Sequence, residues 1–305
     1  MKNASLFYPL LIVIAASSYG ILSTIVKLAM KQGYTAAQAV SSQYIFGFAL
    51  ALILMLATQR KLPKLTKKGL AVMIFGGIFT SLTGIIYGQS LIYLPASIAV
   101  VMLFQFTWIG ILIDCLLKRR LPSRIEVISL TVLFIGTILA AGVIDTDLSA
   151  IPLKGWLLGL LAAFCFAIFI QFNARPVEGV SNIMRTFIVS TVALIVVSLL
   201  LTPEIIIDGT ITGGLWKYGL ILGLFGIIFP IVLFSIAAPK VGGALSSILG
   251  AMELPVAVIV SVLVLGENLT AVQVIGIVVV LFGICIPSIL TARIEKRRQH
   301  KKVEA

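Results

Sequence analysis

Polarity along the chain alternates in long blocks. Windows of about 20 apolar residues, separated by short polar or Gly/Pro-rich stretches, recur at roughly 7–27, 36–57, 69–92, 96–117, 125–144, 153–173, 182–201, 215–238, 242–265 and 270–291. A helix rises roughly 1.5 Å per residue, so each window can cross a hydrocarbon core about 30 Å thick. The pattern predicts an all-α integral membrane protein of ten transmembrane helices, with loops too short for a soluble domain. The first window exceeds the core of a signal peptide, roughly 7–15 residues, and no small-residue cleavage site precedes Lys27, so it is expected to stay as the first helix.

The stretch from Gly242 to Ile286 organises the rest. It holds two apolar runs, with Glu253 and Pro255 inside the first and Gly266-Glu267-Asn268 between them. Glu253 lies about 16 Å along the helix from Gly242, close to mid-membrane. An ionisable group at that depth is costly and normally faces a partner or a water-filled cavity, which makes it a functional candidate. Pro255 removes a backbone donor and loosens the helix beside it. Pro230, in the eighth window, is a second candidate hinge.

Composition agrees with the pattern: 60% of residues are hydrophobic and 11% charged, against about 25% charged in soluble domains. The net charge of +12 does not indicate nucleic acid, because the cations fall in short clusters between apolar runs. With Lys2 inside, 19 of the 23 Lys and Arg residues lie on one side, leaving Lys27, Lys31, Lys154 and Lys217 on the other. The positive-inside rule then makes both termini cytoplasmic. Cys115, Cys165 and Cys285 have unrelated spacings and the single histidine is His300, so neither a disulfide framework nor a metal site is indicated. No phosphate-binding loop is present, and no cofactor is expected.

A break near 145–152 divides the windows into five and five. Five is odd, so the second half enters from the opposite side, the arrangement of two inverted five-helix repeats. The expected division is 1–147, 148–292 and a basic cytoplasmic tail, 293–305. A shift of 147 residues aligns Leu116, Val127, Ile128, Val132 and Gly136 with Leu263, Val274, Ile275, Val279 and Gly283 without gaps, and sets the polar break at 118–124 opposite that at 266–270.

The run ELPVAVIVSVLVLGENLTAVQVIGIVVVLFGI resembles the carboxy-terminal signature of EamA-type transporters of the drug/metabolite transporter superfamily, and YGQSLIYLPASIAVVMLFQF resembles its first-half counterpart. The resemblance implies an inverted-repeat bundle with a central substrate cavity and alternating access, commonly exporting amino acids or other metabolites from the bacterial inner membrane. It places Glu253 and Pro255 at the acidic-Pro element of helix nine, and Lys27 at the lysine ending helix one. Gln43 stands near where many relatives carry arginine, and Arg120 where the first-half turn often carries glutamate.

Glu253 can exchange a proton or pair with a cationic group as its exposure changes, or it can be a structural carboxylate. Tyr19, Gln43, Tyr44, Gln89, Gln105 and Trp108 are candidate lining for the same cavity, through amides that orient a polar solute and rings that cover its apolar part. Each also has a structural reading, as an interhelical hydrogen bond or an interface anchor. Lys27 can receive a substrate carboxylate or snorkel to the interface. Tyr87 and Tyr93 read as belt residues. Asp114 and Lys118 have the spacing of a helical ion pair. The expected partners are a small-molecule substrate, protons and membrane lipids. The alternatives are a facilitator or exchanger for nucleobases, sugars or drug-like amphiphiles and, from another class, an integral-membrane enzyme, for which clustered catalytic side chains are missing from the sequence.

Overall fold

The computed structural model describes residues 2–59, 65–140, 151–201, 204–266 and 269–303. Within them the chain forms helices α1 (Lys2–Gly20), α2 (Leu22–Lys31), α3 (Ala36–Thr58), α4 (Lys67–Tyr93), α5 (Ala96–Phe104), α6 (Phe106–Lys118) and α7 (Arg124–Ala140). After 141–150 come α8 (Leu153–Asn173), α9 (Asn182–Leu201), α10 (Trp216–Gly223), α11 (Phe229–Val241), α12 (Gly243–Gly250), α13 (Glu253–Leu265) and α14 (Ala271–Val303). No strand occurs among the described residues. Among the described residues, eight helical segments are long and apolar enough to cross a membrane. The apolar part of α14, Ala271–Pro287, and α7, with 17 described residues, are shorter. Helix α14 runs on through most of the basic 293–305 segment, to Val303. The Glu267-Asn268 turn, the cations Arg60, Lys61 and Lys64, and most of the 145–152 break lie outside the described residues.

Several expected continuous helices are broken, and the breaks have local causes. Between α12 and α13, Pro255 has no N–H for the Ala251 carbonyl, which instead accepts from Leu254 N–H at 3.2 Å. The turn tightens, and Glu253 becomes the first residue of a new half-helix. Between α5 and α6 no proline is involved. The Gln105 side-chain amide donates to Val101 O at 3.1 Å, taking the acceptor its own N–H would use in an α-helix, and that N–H turns to Met102 O at 3.2 Å. Before Pro230, which cannot donate to the Gly226 carbonyl, the chain widens into a π-helical turn at Leu224–Ile228.

Helix starts recur at one interval. α5, α6 and α7 begin at 96, 106 and 124; α12, α13 and α14 begin at 243, 253 and 271, each 147 residues later. The left-handed caps Arg119 (φ 50°) and Gly266 (φ 70°) are separated by the same interval. Packing repeats it too: α3 lies on its counterpart α9, α7 on α14, and α1 against α11 as α8 lies against α4. In the α7–α14 contact Gly136 faces Val280 while Gly283 faces Leu133, with a Cβ at either glycine falling 2.8 Å from the opposing side chain. Those two contacts are images of each other under the 147-residue shift.

Candidate functional site

The α12–α13 break delivers Glu253 to the interior, where it is 7% exposed. Gly20, at the end of α1, lets α1 abut it: a Cβ there would lie 2.5 Å from the Glu253 carbonyl oxygen. Ser18 Oγ anchors the same turn by donating to Phe225 O in the π-helical turn. Glu253 Oε2 is buried without a hydrogen-bond partner, and so are the hydroxyls of Tyr19 and Tyr87.

These three side chains share one cavity. Its walls are Tyr19 from α1, Leu22 and Val26 from α2, Gln43 and Tyr44 from α3, Thr80, Thr83 and Tyr87 from α4, and Phe166 from α8, with Glu253 from α13. The free interior is about 60 Å³, room for a few waters at roughly 10–15 Å³ each. Tyr44 is fixed by donating to Thr80 O at 2.7 Å, and Gly84 leaves space for its hydroxyl, since a Cβ there would lie 2.5 Å from Tyr44 Oη. Among the described residues, no lysine, arginine or histidine lines it. The cavity runs from Glu253 towards the α2–α3 turn, past Val26, Val40 and Leu91. In the opposite direction it is stopped by rings: Tyr19 meets Phe166 edge-on at 5.3 Å and Phe234 at 6.2 Å, and Phe166 meets Phe106 at 4.7 Å.

Of the residues expected here from sequence, Glu253, Tyr19, Gln43 and Tyr44 come together. Gln105 and Trp108 do not. They line a lateral groove with Leu130, Thr131 and Phe134, where Trp108 is 41% exposed and donates Nε1–H to Gln105 Oε1 at 2.8 Å. The α5–α6 break turns Gln105 to that side. Gln89 is half-buried outside the cavity wall. Lys27 Nζ donates to Leu91 O at 3.1 Å and Leu94 O at 3.4 Å, where a cation also meets the negative end of the α4 dipole. Pro255 and Pro230 sit beside the two helix irregularities described above. Tyr87, expected in the interfacial belt, faces the cavity; because the cavity extends towards that end of the bundle, a position near its boundary did not exclude it.

At the basic end of the bundle, Asp114 pairs with Lys118 at 2.8 Å as its spacing predicts, and also with Arg120 at 2.8 Å, which in turn grips Glu126 through two 2.7 Å hydrogen bonds. Hydrogen bonds to Glu126 and Asp114 hold the Arg120 guanidinium above its ordinary range. Arg185 is buried and donates to the carbonyls of Phe172, Asn173 and Arg175, capping the end of α8. Among the described residues no group of His, Cys, Asp and Glu is placed to hold a metal ion.

Residues 153–289 match the EamA-like transporter family. The second part of the chain is thus similar to an EamA-type unit. No curated protein sequence matches. A solved structure, described only as a crystal structure of a protein, shares the fold across both halves: TM-score 0.70 over 96% of this chain and 99% of that one, at 14% identity. The EamA-type unit therefore contributes Phe166, Gly226 and Glu253 to the cavity, and the preceding half supplies the remaining wall.

Proposed function

We propose that this EamA-type membrane protein is a secondary transporter of ten membrane crossings, arranged as two inverted five-helix repeats, and that the Glu253 cavity binds its substrate. The observation that carries this reading is a buried carboxylate oxygen with no partner, at the start of a half-helix, facing a cavity between the helices. Discontinuous helices of this kind build mid-membrane substrate and coupling-ion sites. The constant 147-residue interval supports the repeat, and an odd number of crossings per half supports its inversion. The cation distribution favours cytoplasmic termini, and the short loops suit a bacterial inner membrane. The cargo is a small metabolite such as an amino acid, moved outward, with Glu253 exchanging it for a proton.

The test begins with a thermal-stability screen of purified protein against amino acids, nucleobases, sugars and organic cations, since a ligand selective for the folded state raises the unfolding temperature. The stabilising class is then assayed in proteoliposomes with Glu253→Gln beside the parent. Flux is expected to fall by roughly tenfold or more, with loss of its pH dependence. Full flux with an unchanged pH profile in the variant would exclude Glu253 as the coupling residue and favour a facilitator.

A further inference from the structure

A second hollow, of about 740 Å³, opens at the basic end of the bundle between the start of α4 and the segment that follows α8. Gly69 brings these two elements together: a Cβ there would lie 2.9 Å from Val177 Cγ1. Lys67, Lys68 and Arg175 give the hollow three exposed cations and Glu178 one exposed carboxylate, while Val72, Phe75 and Phe172 line its apolar part. Among the described residues none of these cations forms an ion pair, unlike Lys118 and Arg120 at the same end. Phe172 stacks on Phe75 at 5.2 Å and 12°, and the Arg175 guanidinium lies 4.8 Å from the same Phe172 ring. Buried Arg185 donates to the carbonyls of Phe172 at 3.0 Å and Arg175 at 3.2 Å, which fixes the backbone that carries both side chains.

The positions 147 residues away are filled differently. Phe75 is answered by Leu222, Ala71 by Tyr218 and Phe172 by Ile25, and the three cations Lys67, Lys68 and Arg175 by Gly214, Leu215 and Leu28. Leu215 and Leu222 are fully buried, and Leu222 and Tyr218 join Ile25, Leu28 and Tyr34 in one apolar cluster. Phe75, by contrast, is 46% exposed. One set of positions closes with its own side chains, and the other stays open and charged. Lys68 and Phe75 are about 10 Å apart along α4, the step from the polar interface of a bilayer into its hydrocarbon. A soluble anion would answer the cations and leave Val72 and Phe75 uncovered; an apolar chain alone would do the reverse. We infer that this hollow seats an anionic phospholipid, its phosphate between Lys67, Lys68 and Arg175 and an acyl chain along Val72 and Phe75. Arg175, held flat by the Phe172 ring, can offer two parallel N–H donors to the phosphate, and the lysines act as point charges. Basic pockets between membrane helices take headgroups of this kind. Such a seat needs only the membrane setting and holds whether or not the Glu253 cavity carries a substrate.

The test uses the full chain, purified in detergent and freed of co-purified lipid, with binding read by native mass spectrometry. The probes are dioleoyl phosphatidylglycerol, dioleoyl phosphatidylcholine, dihexanoyl phosphatidylglycerol and glycerol phosphate. The parent is expected to hold dioleoyl phosphatidylglycerol about tenfold more tightly than the choline lipid. Lys67→Gln combined with Lys68→Gln is expected to abolish that preference, since each cation near an anionic headgroup is worth roughly fivefold in affinity. Arg124→Gln combined with Lys240→Gln removes two exposed cations of the same end from outside the hollow and is expected to leave the preference intact. Arg175→Gln is the second variant should the lysine pair not fold. Equal weakening by the two charge-removing pairs overturns the seat, because diffuse charge would then account for binding. Equal affinity of the parent for the two dioleoyl lipids overturns it as ordinary solvation by lipid. Displacement of the lipid by glycerol phosphate, or dihexanoyl lipid held as tightly as dioleoyl, assigns the cations to a soluble anion and overturns the acyl-chain contact. Loss of preference in the Lys67 and Lys68 pair alone, with neither competitor effective, sustains the seat.

Discussion

Arg119 is the only non-glycine with positive φ among the described residues, at 50°. It ends α6 as Gly266 ends α13, and in that conformation a Cβ crowds the following carbonyl. Arg119→Gly is therefore expected to stabilise the protein by about 0.5–1 kcal/mol, read as a rise in unfolding temperature in a fixed detergent; a fall would mean that the arginine side chain contributes more than its backbone costs. Nearby, Asp114 shows how two cations on one carboxylate differ. Lys118 is more than half exposed and makes one contact, whereas Arg120 bridges Asp114 and Glu126. Lys118→Ala should cost about 0.5 kcal/mol or less, and Arg120→Ala about 1–2 kcal/mol, because the second strands a buried carboxylate with a single exposed partner. Equal losses in the same thermal assay would show that the bridge to Glu126 adds nothing. The i,i+4 pair was legible in the sequence; the bridge was not, since it depends on the chain reversal between α6 and α7.

Most helix boundaries were legible within a residue or two, because the period of apolar windows directly reports membrane thickness. The breaks were legible only where proline marks them. At Gln105 a side-chain amide displaces the backbone donor, and after such a turn the facing of every later residue is reset, so Gln105 and Trp108 could not be assigned to the cavity or the lipid side from spacing. Tyr19, Gln43 and Tyr44 lie on helices whose facing was not reset before them, and they reach the cavity as expected. Between elements, the α7–α14 contact makes a quantitative statement. Gly136→Leu and Gly283→Leu each drive a side chain into its counterpart contact and should destabilise by a similar amount, about 1–3 kcal/mol. Gly213→Ala meets open space and should change stability by no more than about 0.5 kcal/mol. Unequal losses at Gly136 and Gly283, in thermal or denaturant unfolding, would show that the matched geometry does not imply matched energy.

At the scale of the whole molecule, the halves are interlocked. α3 packs on α9, α7 on α14 and α1 on α11, so each half buries much of its apolar surface against the other rather than within itself. A chain divided between Ala140 and Ile151 is expected to assemble only when both pieces are made together, with the fragments co-purifying in detergent; two pieces that are each monodisperse alone would contradict this. The sequence allowed the five-plus-five division to be seen, yet its five aligned identities were too common in an Ile/Leu/Val-rich chain to carry weight. The constant interval in helix starts, caps and glycine contacts supports the proposed division, because these depend on backbone geometry and not on which apolar side chain is present.

Glu253 and Phe106, the first residues of α13 and α6 and 147 residues apart, bear on directionality. A carrier whose halves were interchangeable in every atom would present the same affinity to both sides of the membrane. On the transport reading proposed above, an acid at position 253 and a phenyl ring at position 106 would remove that equality and give capture and release different affinities. Net flow is still decided by the gradients alone.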